Sequence, residues 1–248
     1  VKAYRGTFYQ KENIMSLLAI SSDSKTVKGQ QYGYMTGILY LAPFTLSGVN
    51  LCPMAEKAKC FEACLNTAGR GVMNSVQKGR IRKAALFNND PQSFMMELVK
   101  DIRALIRKAS REGFTPLVRL NGTSDIRWEG KHFRLDGKMV TIFEAFPSIQ
   151  FYDYTKISNR KNIPENYDLT YSYSGVSGYQ RYVSIAVANH MRVAVVFRDR
   201  KRIPAVFLDM DCIDGDNSDL RHLDPFGVVV ALYAKGRAKK DNSGFVVN

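Results

Sequence analysis

The residues of this chain with most chemistry to offer are its four cysteines. Cys52, Cys60 and Cys64 fall within thirteen positions in a C-x7-C-x3-C spacing, and Cys212 lies 148 positions beyond Cys64. In an intracellular chain, clustered thiols point to metal binding or redox chemistry rather than to disulfides. Cys60 and Cys64 are four apart, so on a helix they would share one face. The loop from Cys52 can fold back to set a third thiolate beside them. Three converging thiolates suit an iron–sulfur cluster, in particular a four-iron cluster with one iron left open to a substrate or cofactor. Zinc is an alternative, but it wants a fourth ligand that no paired CxxC or nearby histidine supplies. His132, His190 and His222 are all remote in sequence, and Cys212 could complete a site only through the fold. The plainest alternative is a set of buried free thiols, packed as small hydrophobes.

A second group of polar residues sits where strand patterns end. Asn121-Gly122-Thr123-Ser124-Asp125 follows one such pattern directly, and Asp153 and Lys156 close the next. Parallel α/β sheets build their sites at the carboxyl ends of strands. The expectation is that Asn121, Thr123, Ser124, Asp125, Asp153 and Lys156 face the cysteines from one cavity and bind a polar cofactor. Asn-Gly is equally a turn signal. Ser172 and Ser174 end a further strand pattern. Six aspartates occupy residues 209–224. Asp209, Asp211, Asp214 and Asp216 could hold Mg²⁺ for nuclease chemistry, or simply line an acidic surface loop. P-loop, G-x-S-x-G and H-E-x-x-H motifs are missing from the sequence.

Charge suggests the partner. Lys and Arg number 36 against 23 Asp and Glu, a net +13. Such an excess points to a polyanion, either nucleic acid or an acidic host protein, with a solvated basic surface as the alternative. Residues 70–111 carry ten Lys/Arg and three acids. Within them Lys100, Arg103, Arg107 and Arg111 step by three and four, so they line up along one helix face. These four are the candidate nucleic-acid contact. The basic loop Ala234–Asp241 is another place where phosphates could bind, with a solvated tail as the alternative.

The elements that must position these residues follow from patterning. A composition of 45% hydrophobic and 24% charged residues is that of a globular protein. The apolar runs are far too short to cross a bilayer, so no membrane partner is expected. Val1 to Arg5 show no basic start leading into an apolar stretch, so no signal peptide is expected. Short strands are predicted at Ile14–Ile20 and Gly37–Leu41, with a polar stretch between. A helical pattern starts near Phe61, breaks at Gly69-Arg70-Gly71 and resumes through Leu86. The strongest helix runs from Pro91 to about Glu112, with Asp90 as N-cap and Gly113 as stop.

Six strand patterns follow: 117–121, 150–155, 167–174, 192–198, 205–211 and 228–235. A helix is predicted at 177–190, and a hairpin turning at Asp136-Gly137 is inserted at about 127–146. Only six residues separate Arg198 from Ala205, which predicts an antiparallel pair there. The fold class is therefore a single α/β domain over residues 1–248. It is a partial (βα) barrel or open, mostly parallel sheet with an antiparallel C-terminal part and a β-hairpin insertion.

Several stretches resemble the phage "gene product 88" domain family. They include Lys25–Gly71, Arg119–Asp125, Gln150–Lys156, Asp214-Gly-Asp and Ala234-Lys-Gly236. The resemblance implies a phage-encoded protein acting in the host cytoplasm, and by itself no particular chemistry. A weaker, topological likeness is to radical S-adenosylmethionine (SAM) enzymes, which also place three cysteines after their first barrel strand. It implies that Asn121 to Asp125 contact SAM, with SAM as cofactor. The cysteine spacing departs from the usual C-x3-C-x2-C of those enzymes. The competing implication of the charge and cysteines is a non-enzymatic nucleic-acid-binding protein with a structural metal site.

Overall fold

The computed structural model describes residues 16–20 and 24–248. The expectations for Ile14, Met15 and Val1–Arg5 fall outside the described residues. The helix α3 (Pro91–Glu112) is bounded as its sequence dictates. The Asp90 side chain accepts the Ser93 N–H at 3.0 Å, Pro91 occupies the first turn, and Gly113 ends the helix in the left-handed region at φ 76°. Phe94, Leu98, Ile102, Leu105 and Ala109 have no exposed surface. They pack α3 against the first strands of the sheet, β1 (Leu18–Ile20), β2 (Tyr34–Leu39) and β3 (Thr115–Arg119). A second helix, α2 (Asn74–Asn89), lies beside α3.

The sheet continues through β6 (Gln150–Thr155), β7 (Tyr167–Ser172) and β8 (Val193–Phe197), then β11 (Val229–Tyr233), β10 (Met210–Asp214) and β9 (Val206–Phe207). From β2 to β10 every neighbouring pair is parallel. The two end pairs, β1 with β2 and β9 with β10, are antiparallel. Strands such as Val193–Phe197 and Val229–Tyr233 read as continuous apolar runs because a parallel strand is covered on both faces. The helix α5 (Gln180–Ala188) joins β7 to β8. The hairpin β4 (His132–Leu135) and β5 (Lys138–Thr141) turns at Asp136-Gly137 as expected and stays out of the main sheet. It leads into the short helix α4 (Ile142–Ala145), which opens with a capping box between Thr141 and Glu144. The expected class therefore holds: an open, mostly parallel sheet with an antiparallel C-terminal edge and an inserted hairpin.

Three local expectations are corrected. The polar stretch before β2 contains a helix, α1 (Ser24–Gln30). The helical pattern from Phe61 is a loop with short 3-10 turns at Leu65–Thr67 and Gly69–Val72, and the helix begins only at Asn74. The segment after Arg198 does not pair with β8. It forms a tight hairpin instead, with Leu208 and Asp209 both at positive φ, and β11 takes the place beside β8. Two apolar strands bury more of each other than a two-residue strand could, so the later strand wins that position.

The burial of α3 makes its two faces unequal. Ile102→Ala should cost about 2–5 kcal/mol by chemical denaturation, whereas Arg103→Ala, exposed on the other side, should stay within about 0.5 kcal/mol. Equal effects would contradict this packing.

Candidate metal centre at the carboxyl end of the sheet

The site is assembled from the ends of three parallel strands. After β3 the chain makes a tight turn around Asn121. The Asn121 side-chain oxygen accepts from Ser124 Oγ (2.9 Å), the Ile126 N–H (2.9 Å) and Trp128 Nε1 (3.1 Å), and its amide donates to the Ile126 carbonyl at 3.0 Å. Asp153, inside β6, accepts the N–H groups of Leu120 (3.1 Å) and Asn121 (2.9 Å) and the Tyr167 hydroxyl (3.0 Å). Gly122 lets this turn touch β2. A Cβ there would lie 2.7 Å from both Ile38 Cγ2 and Tyr40 Cδ1. Asn121 and Asp153 thus spend their hydrogen bonds on the scaffold.

The same turn holds the cysteine loop. Thr123 Oγ1 donates to the Leu41 carbonyl at 2.6 Å, and the Asp125 N–H donates to the Leu51 carbonyl at 2.9 Å. Cys52 Sγ lies 3.7 Å from the Thr123 carbonyl. Cys60 and Cys64 do not share a helix face, as their spacing alone would suggest. Cys60 sits in an irregular loop, and the Cys64 sulfur caps the following 3-10 turn by accepting the Asn66 N–H at 3.4 Å. The three thiols nevertheless share one neighbourhood: Cys52 feels Cys64, Asp125 and Cys60, and Cys64 feels Cys60, Arg80 and Lys156. Cys212 stands apart in β10, on the far side of the sheet order.

Lys156 and Asp125 complete the group. Lys156 is buried and donates to the Ser172 carbonyl (3.1 Å), Ser172 Oγ (3.0 Å) and the Tyr173 carbonyl (3.2 Å). Its ammonium lies 4.7 Å from the Phe245 ring centre and 5.7 Å from that of Tyr179. Asp125 accepts from Thr155 Oγ1 and from the Lys156 N–H, both at 2.8 Å. Burial pushes the Cys52 thiol up to about 12, and burial raises Cys60 and Cys64 as well. Burial lowers Lys156, while Cys60, Asp125, Cys64 and Cys52 in turn favour its charged form. Lys156 is thus a buried cation close to all three thiols, and Arg80 is a second cation that acts on Cys64.

Thiol protons leave when a metal binds, and Lys156 is placed to balance the thiolate charge that results. The donor set therefore fits a thiolate-bound group. As they stand, no three His, Cys, Asp or Glu side chains among the described residues close around a point as a single ion requires.

The other candidate residues are placed elsewhere. Lys100, Arg103, Arg107 and Arg111 are exposed along the outer side of α3, away from the sheet, with Lys100 3.2 Å from Glu97. Four of the six aspartates at 209–224 sit against basic partners, while Asp209 and Asp211 are exposed at the hairpin between β9 and β10. Asp214 pairs with Arg200 at 3.0 Å, Asp216 with Lys235 at 2.8 Å, Asp219 with Arg119, and Asp224 with Arg221 at 3.0 Å. Such pairing suits a structural role better than a magnesium site. An open groove of about 560 Å³ runs past Gln150, Tyr167 and Met191, at the amino ends of the strands and so at the opposite end from the thiols. Sequence reading missed Tyr173, Tyr179 and Phe245 around Lys156. It also missed the basic run Arg198–Arg202, which is visible in the sequence immediately after a strand pattern.

Asp153 supplies a pH test of the scaffold. Burial pushes its carboxyl up to about 6, against the opposing pull of Arg119 and its three donors. In the unfolded chain the group titrates near ~3.9. The folded protein holds this proton more tightly, so the group's contribution is most favourable below pH ~4 and is lost as pH rises through 6. Between pH 4 and 7 the stability difference should therefore move in favour of Asp153→Asn by roughly 2–3 kcal/mol. Urea unfolding of both proteins across that range measures it, and a difference constant with pH would refute it.

Among the described residues no helix is long and apolar enough to cross a membrane. No curated protein and no solved structure matches the chain. The family model described as Gene product 88 matches residues 16–248, nearly the whole length. It spans the cysteine loop, the Asn121 turn and Lys156 alike, and the chain belongs to the phage Gene product 88 family.

Proposed function

We propose that this phage protein carries an iron–sulfur cluster of the four-iron type on Cys52, Cys60 and Cys64, and that it acts on nucleic acid or a host factor in the host cytoplasm. The observation that carries this reading is the gathering of three half-buried thiols near the buried Lys156 at the carboxyl end of a parallel sheet, with Cys52 held against the Thr123 carbonyl and the Lys156 N–H bonded to Asp125 of the same loop. A cluster is larger than an ion, so its thiolates stand farther apart, which suits donors that converge without closing around one point. Bound there through three thiolates, such a cluster supplies one-electron chemistry and leaves one iron open to a small molecule. Lys156 balances the thiolate charge. The Thr123–Asp125 loop fixes the position of Cys52, and Tyr179 and Phe245 keep water from the lysine.

The strand order supports the radical SAM-like form of this reading. The parallel strands β2, β3, β6, β7 and β8 follow one another in chain order, with the cysteines after the first and the Asn121–Asp125 turn after the second. A different observation favours a non-enzymatic reading. Asn121, Asp153 and Lys156 are already committed to internal hydrogen bonds, which suits a cluster that staples the loop of a nucleic-acid-binding protein.

Anaerobic reconstitution with iron and sulfide should give a brown protein absorbing near ~400 nm, with about four irons per chain. Cys52→Ser, Cys60→Ser and Cys64→Ser should each lose most of that iron, while Cys212→Ser should keep it. Colourless, iron-free parent protein would overturn the reading. Calorimetric titration of SAM into the reconstituted protein separates the two forms: saturable binding supports the enzyme, and none supports the binder.

A further inference from the structure

We propose that a single-stranded nucleic acid docks across the carboxyl end of the sheet, on a collar of basic loops around the cysteine loop. The partner class is that of the reading above, whereas the place and the strandedness come from other observations and do not require a cluster. The collar begins where β8 and β11 end. These strands are parallel neighbours with Phe197 opposite Tyr233, so the segments after them, 198–202 and 235–240, emerge side by side. Arg198 ties them together: its guanidinium donates to the Lys239 carbonyl at 2.6 Å, to the Asp241 carbonyl and to Asn248 Oδ1 at 2.5 Å.

The turn at residues 236–240 packs against the turn at Leu65–Thr67 that follows Cys64, and Ser243 Oγ reaches the Lys59 carbonyl at 3.4 Å. On the next side Lys57 Nζ lies 3.3 Å from the Tyr182 hydroxyl at the start of α5, with the Arg181 guanidinium over the Tyr182 ring at 4.6 Å. The loops therefore form one continuous rim.

Its cations point outward. Lys57, Lys59, Lys201, Arg202, Arg237 and Lys240 are all exposed. Arg200 and Lys235 are neutralised by Asp214 and Asp216, and Glu56, Glu62 and Asp199 are the acids exposed on the same loops. The rim also carries an aromatic platform. Phe61, next to Cys60, is 36% exposed, and its ring stacks on Phe44 with centroids 5.5 Å apart. Cations beside an exposed ring match phosphates beside unpaired bases. A duplex hides its base faces, and an acidic protein offers none. The basic row on α3 has charge but no ring to stack on, because the one aromatic residue of that helix, Phe94, is fully buried.

The test is fluorescence anisotropy with the full chain and labelled 20-nucleotide oligo-dT and oligo-U, as purified and after reconstitution. Binding of either strand at about 0.1 M salt supports the proposal, and the tighter one names the sugar. Lys201→Glu/Arg202→Glu/Lys240→Glu, all exposed and outside the scaffold, should weaken binding at least about tenfold and flatten the log–log salt slope by about two. Phe61→Ala should weaken it about fivefold or more with the slope unchanged. Arg103→Glu/Arg107→Glu on α3 should bind within about twofold of the parent, and a duplex of the same length should bind more weakly. The proposal is overturned if the parent binds neither strand, if the collar variant binds as the parent does, or if the α3 variant loses binding. It is equally overturned if the duplex binds as tightly while Phe61→Ala has no effect. Iron content measured on the same samples keeps the readings apart: collar-dependent binding without iron fails only the cluster, and iron loading with collar-independent binding fails only the collar.

Discussion

The hydrogen bonds from the backbone of Leu120 and Asn121 to the buried carboxylate of Asp153 hold the carboxyl end of the sheet together. They fasten the end of β3 to the middle of β6 and leave the next residues no freedom but to turn. The turn closes on the Asn121 side chain, and from there the order propagates. Thr123 and Asp125 reach Leu41 and Leu51, both on the segment that leads into Cys52, and Asp125 reaches Thr155 and Lys156 at the end of β6. One desolvated carboxylate thus sets the spacing between three strand ends. A buried carboxylate is costly unless its acceptors are filled, and here three donors and the neighbouring Arg119 fill that need.

Electrostatics divides the two faces and two ends of the sheet. On the face carrying Arg119 and Arg192, arginines are buried with carboxylate partners: Arg119 with Asp219, and Arg192 with Asp168. Arg192 has no exposed surface at all. Breaking such a pair costs more than the pair contributes, because it leaves one charge stranded. At the carboxyl end the arrangement is the reverse. Lys156 is buried among thiols and carbonyl oxygens, with Asp125 as the carboxyl group that acts on it. An environment that can supply thiolate charge around a fixed lysine is the unusual feature of this molecule. The exposed basic loops lie around that same end, so attraction of a polyanion would bring it to the thiols.

Much of this was legible in the residues themselves. The α3 helix is read from its caps and its apolar stripe, and the hairpin at Asp136-Gly137 from its turn signal, because these depend on residues within a few positions of one another. The bounds of β6 agree with its pattern to the residue. The stretch from Phe61 reads as helical in the sequence because i, i+4 spacing says only what a helix would do. The Gly-rich segment and the capping of a 3-10 turn by Cys64 instead keep it irregular. The pairing of the segment after Arg198 was misread because chain proximity favours an antiparallel neighbour, whereas the apolar strand at Val229–Tyr233 competes better for the edge of β8.

The sequence by itself determined which residues could do chemistry and at which end of the sheet they would lie: polar residues that follow strands must emerge at carboxyl ends, since every strand of the parallel set runs one way. It also determined the net charge and the exposed row on α3. Only the tertiary structure decided that Asn121 and Asp153 serve the scaffold, that Lys156 faces the thiols, and that two basic segments nearly forty residues apart form one rim with the cysteine loop. Those outcomes rest on which strands become neighbours. That choice is made by the burial of whole apolar faces against one another, a sum over distant residues that no local spacing contains.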